Sequence, residues 1–194
     1  MTRKVIGIVV FGVLINTIAI SMAWAIEVQP TQKQIEEAIA KGQAAKDKPE
    51  ALFQGYEFGK PGVEVNGYVL TKLFQIAHKA ANLAKEGKAI TPDHYKEILA
   101  QDYLLFPLYL VATAENGFSD LVVEMRQGIK TLKASEVLQD PPEKMLCEGA
   151  QCLWKKDVYA GFFYKDFDAL RLAVLVVRYK GVEAEFPLVF NRIL

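Results

Sequence analysis

The 194-residue chain carries 23 basic and 23 acidic side chains and is 52% hydrophobic. With no basic surplus to track a phosphate backbone, its composition argues against nucleic acid as a partner. A transmembrane barrel would need more strands than fit, and beyond the first 25 residues no apolar run is long enough to cross a membrane as a helix.

Residues 1–25 read as a secretory signal peptide. Arg3 and Lys4 are followed by an apolar run from Val5 to Ile20, and Ala23-Trp24-Ala25 puts small residues where a signal peptidase reads them. The rival reading is an uncleaved anchor, but the run is short for a span and contains Asn16. No cysteine lies near the cleavage site to carry a lipid. Cleavage after Ala25 leaves 21 basic against 23 acidic residues, a net charge of −2. The mature chain is then a soluble periplasmic or secreted protein, long enough for one domain with its own core.

Thr31 with Gln34 three residues later is a capping-box pattern that opens a helix to about Ala45. Its apolar stripe (Ile35, Ala38, Ile39, Gly42) is thin, so the helix is expected to rest lightly on its neighbours, weakened further by Gly42. Residues 51–68 hold four glycines, Pro61 and the aromatics Tyr56, Phe58 and Tyr68. They read as a broken β segment or ordered loop, with turns at Gly59-Lys60-Pro61-Gly62 and Asn66-Gly67. A second helix is expected from about Tyr68 to Glu86, with His78 on its wet side, and a third from Thr91-Pro92-Asp93, with Tyr95, Ile98 and Leu99 inward and His94 outward.

Residues 103–194 change character. Leu104–Thr113 reads as a strand that Pro107 would place at an edge or bulge. Leu121–Arg126 and Ile129–Ala134 read as a hairpin across Gln127-Gly128, and Asp140-Pro141-Pro142 as a break. Cys147 and Cys152, spaced C-x4-C in an exported chain, predict a disulfide closing a small loop; a redox dithiol would have C-x-x-C spacing. Tyr159, Phe162, Phe163, Tyr164 and Phe167 crowd into nine residues. Such a cluster is first of all core, and where exposed it marks an interface. The clearest element is the C-terminal hairpin. A Lys180-Gly181 turn pairs Tyr179 with Val182, Arg178 with Glu183, Val177 with Ala184 and Leu175 with Phe186, apolar against apolar and charge against opposite charge.

Together these segments predict an α+β fold. About three N-terminal helices (26–102) pack on a C-terminal antiparallel sheet or sandwich of about six strands (103–194), in one compact domain. No nucleophile elbow, zinc-protease, haem-attachment, phosphate-loop or dinucleotide pattern occurs, and the mature chain has only Ser119 and Ser135 as serines. Paired carboxylates need no sequence proximity, but the nearest pair, Glu183 and Glu185, has Glu183 already opposite Arg178. No cofactor is implied.

The expected function is therefore non-catalytic: a binding or accessory protein that presents a sheet edge or an aromatic patch to another exported protein or a small ligand. Tyr56, Phe58, Tyr68, Tyr159, Phe162 and Tyr164 are the candidate surface. The alternative is a small periplasmic enzyme or metal-binding protein built around His78 and His94, for which the clustered donors of a metal site are lacking in the sequence.

Overall fold

The computed structural model describes residues 28–60, 64–149 and 151–190; the segment read as a signal peptide lies outside them, as do Pro61 and Gly62 of the first expected turn. Among the described residues the fold is mixed α+β, with helices α1 (Gln32–Ala44), α2 (Lys72–Lys85) and α3 (Pro92–Ala100) and ten strands. The strands are β1 (Glu57–Gly59), β2 (Val65–Tyr68), β3 (Tyr103–Ala112), β4 (Val122–Gln127), β5 (Lys130–Lys133), β6 (Glu136–Gln139), β7 (Glu143–Glu148), β8 (Gln151–Phe163), β9 (Ala173–Tyr179) and β10 (Val182–Leu188). They form two antiparallel sheets. One has the order β1-β2-β3-β8-β6, with β7 also on β8; the other is β10-β9-β4-β5. β1 and β2 form within the 51–68 segment read as a broken β stretch, and so place strands between α1 and α2. The expectation of about six strands after residue 103 is corrected: among the described residues eight follow, β3 to β10, divided between the two sheets and punctuated by short 3-10 turns at Glu115–Phe118 and Tyr164–Asp166.

Alternation along the strands decides which face is covered. Leu104, Phe106, Leu108 and Leu110 of β3, with Val158, Ala160 and Phe162 of β8, belong to the same buried cluster as Val123, Met125, Leu175, Val177 and Tyr179 of the second sheet. Phe58 bridges the sheets, with its ring centroid 6.3 Å from Phe106 and 4.9 Å from Phe186. The Tyr179 hydroxyl reaches across to the Glu64 and Val111 carbonyls at 2.6 and 3.0 Å, so the one polar atom this ring takes inward is satisfied.

The C-terminal hairpin forms in the expected register, Val182 opposite Tyr179 through Phe186 opposite Leu175. Arg178 and Glu183 do stand opposite each other, but the guanidinium makes its ion pair diagonally, on Glu124 of β4 at 2.6 Å. Glu183 and Glu185 turn instead to Arg126. Arg178 has a choice because β9 is central: β4 pairs on its other side.

Three other expectations are corrected by neighbours the sequence does not reveal. Pro107 sits in a central strand, between β2 and β8. Its missing N–H falls on the β2 side, where the register stops at Gly67–Leu108 and resumes with Leu70 N–H on Leu105 O. The gap is where a proline costs no ladder bond. Asn66-Gly67 is no turn but part of β2, and a Cβ on Gly67 would lie 2.2 Å from the Pro107 carbonyl oxygen. The β4–β5 turn comes one residue late, with Gln127 paired to Lys130 and Ile129 fully exposed at its tip.

Cys147 and Cys152 face each other across β7 and β8 and are bonded. Chain-entropy arithmetic for so short a loop gives about 2 kcal/mol. The Cys147→Ser/Cys152→Ser variant should therefore lose no more than this in a urea titration and keep its β circular dichroism. Collapse of the whole sheet would contradict a merely local clasp.

Candidate functional site

α2 stands against the outward face of the six-stranded sheet, and a groove of about 370 Å³ runs between them. Its size falls in the range of small-ligand sites. The helix begins later than its apolar pattern suggests, because Thr71 supplies the cap: its side chain accepts from the Phe74 N–H at 3.1 Å. From that start Phe74, Gln75, His78, Lys79 and Asn82 line one wall. The floor is the set of β residues that alternation turns outward: Tyr68 ending β2, Pro107 and Tyr109 on β3, and Tyr159 on β8, directly opposite Pro107. Phe53, from the 3-10 turn Pro49–Phe53, closes one end.

The rings are organised among themselves. Phe53 lies 4.6 Å from Tyr68, 4.9 Å from Phe74 and 5.5 Å from His78, tilted or edge-on in each case. Tyr68 meets Tyr109 edge-on at 5.9 Å. These are the offset and edge-to-face geometries aromatic quadrupoles prefer. Tyr109 and Tyr159 each remain 36% exposed, so the groove is open on the sheet side.

The walls are electrostatically quiet. Burial lowers the pKa of His78 below the ordinary histidine value, keeping the imidazole neutral at pH 7; Asn82 Nδ2 is 3.4 Å from its Nδ1. Burial chiefly, with nearby Tyr68, Tyr159 and Asp157 adding to it, raises Tyr109. Gln75 is engaged with the Leu70 carbonyl and Gln101. Among the described residues, Lys79 is the one charged side chain of the lining.

A histidine whose folded pKa is depressed binds fewer protons folded than unfolded, so stability falls as pH drops through the ordinary histidine value. Thermal unfolding should thus show a loss between pH 7.5 and pH 5 that His78→Phe reduces. An identical slope in both proteins would place His78 in water.

Of the residues singled out from sequence, Tyr68, Tyr159 and His78 come together here. Tyr56, Phe162 and Tyr164 are buried, and Phe58 is half-buried between the sheets. His78, expected on the wet side, stacks on Phe74 with ring planes 10° apart. His94 is exposed and caps α3, its Nδ1 accepting from the Thr91 N–H at 2.9 Å. The two histidines thus hold separate jobs, and among the described residues no group of three or more His, Cys, Asp or Glu is placed to hold a metal. Phe53, Phe74 and Tyr109 did not stand out from sequence as site residues. Strict alternation through Leu104–Leu110 puts Tyr109 on the opposite face from Phe106 and Leu108, and that pattern is the signal that could have found it.

No family model and no curated protein matches the chain. Among the described residues no helix is long and apolar enough to cross a membrane.

Proposed function

We propose that the mature chain is an exported, non-catalytic binding protein that holds a segment of another exported or envelope protein against the aromatic groove. The observation that carries this reading is the convergence of Phe53, Tyr68, Phe74, His78, Tyr109 and Tyr159, from five separate elements, on one open cleft. Rings that served only as core would be covered. Two of these are not, and partly exposed aromatics beside a cleft are the residues that anchor partners. The lining is aromatic and apolar apart from Lys79 and a few neutral polar groups, which favours an apolar or aromatic side chain in the cleft. The cross-strand disulfide is compatible with an oxidising compartment.

A photoreactive benzophenone amino acid at Tyr159, introduced in the exporting cell, is expected to form a discrete adduct with a second protein. The same probe at Lys33, exposed on α1, should form none, and adding Tyr109→Ala should reduce the Tyr159 adduct at least tenfold. No adduct at Tyr159, or equal adducts at both positions, would overturn the reading.

A further inference from the structure

The groove's Tyr159 lies on β8, the strand that borders a sheet edge at β6. β6 pairs with Val158–Gly161 of β8, and β7 continues along the same flank on Gln151–Lys155, so the two make one edge strand interrupted at Pro141-Pro142. Asp140 N–H donates to the Asp157 carbonyl. In an antiparallel ladder the bonded positions alternate, so the main-chain groups of Val137 and Gln139 point away from β8. Among the described residues no strand pairs with them.

Other edges are blunted. β10 carries Pro187 with Glu183 and Glu185, β5 is bounded by Lys130 and Lys133, and β1 is three residues long. Leu138, by contrast, is 58% exposed and stands directly opposite Tyr159, a residue of the groove lining. Two residues to either side, Glu136 and Asp140 share its face.

We propose that β6 accepts an extended, basic segment of another exported protein by strand addition. The inference rests on the groove being a partner site, which selects this edge over the others. The partner's main chain would pair with Val137 and Gln139. One apolar side chain would lie over Leu138 and Tyr159, and lysine or arginine would stand opposite Glu136 and Asp140. Charge selects this occupant over a second copy of the chain. Symmetric pairing about Leu138 would set Glu136 of each copy against Asp140 of the other, like charges directly opposite. Pro141 and Pro142 limit the pairing to about five residues.

The probe is a capped peptide with the core Lys-Val-Leu-Thr-Lys, titrated into the full chain and followed by amide chemical shifts. Saturable shifts centred on 136–140 and Tyr159 are expected. N-methylation of the peptide's Val and Thr, which removes the N–H groups that would face β6, should weaken binding at least tenfold. So should exchange of its two lysines for glutamates. Val137→Pro should do the same while the thermal midpoint stays in place; if that variant fails to fold, the N-methylated peptide on the unaltered chain makes the same distinction. Binding lost with Tyr109→Ala but indifferent to N-methylation overturns the edge and leaves the groove. Binding sensitive to N-methylation but indifferent to Tyr109→Ala supports the edge and overturns the groove. Absence of saturable binding, or self-association of the chain abolished by Val137→Pro, overturns strand addition by a basic partner.

Discussion

Phe106→Ala is expected to destabilise the protein by about 3–5 kcal/mol, the range for truncating a fully buried phenylalanine. The side chain has no exposed surface, meets Phe162 edge-on at 5.6 Å, and sits in the strand that joins β2 to β8. Set against a total stability of about 5–15 kcal/mol, this single loss threatens the fold. Tyr109→Ala, three residues along the same strand, is the internal comparison. It removes a ring that is partly in water on the opposite face, and its expected cost is about 1 kcal/mol. Urea titrations of the pair measure the sidedness of β3. Equal losses would mean that the covered and open faces have been exchanged.

Gly42→Ala is expected to destabilise by about 2 kcal/mol, against the direction that helix propensity alone gives. Alanine is better than glycine in a helix interior by about 1 kcal/mol. Here, however, a Cβ would lie 2.0 Å from the Ala77 carbonyl oxygen and 2.9 Å from the Ala80 Cβ. The backbone of α2 cannot yield as a flexible side chain would, so α1 must lift away, and overpacking of this kind costs more than propensity returns. A drop of roughly 5 °C in the thermal midpoint corresponds to that difference in a domain of this size. A rise would show that α1 lies on α2 as loosely as its thin stripe of apolar residues suggests.

Gly42 also shows what kind of information the sequence withholds. A glycine inside a helix reads as a local weakness, and only the neighbouring helix reveals it as a point of close approach. Pro107 is the same case in a strand: its chemistry says edge, while the placement of a gap in the β2 ladder makes a central position tolerable. Contacts close along the chain were legible. The Thr31–Gln34 capping box forms both of its bonds, and the 173–188 hairpin forms residue for residue, because each is set by side chains within a few positions of one another. β6 has no such local signature. Its four residues are exposed, and a strand held only by its pairing to β8 leaves no burial pattern to read. The site was half legible for the same reason. Tyr68, Tyr159 and His78 stood out by type, but their meeting depends on where α2 crosses the sheet, and that is settled by contacts far apart in sequence.

Everything functional depends on that crossing, and nuclear Overhauser contacts between aromatic side chains test it most directly. Ring protons of Phe53 should show cross-peaks to Tyr68 and His78, and those of Tyr68 to Tyr109, alongside the Phe106–Phe162 contact inside the core. If the core cross-peak and the Phe53–Tyr68 contact are present and the Phe53–His78 contact is missing, α2 does not lie over the outward face and no aromatic groove exists for a partner to fill.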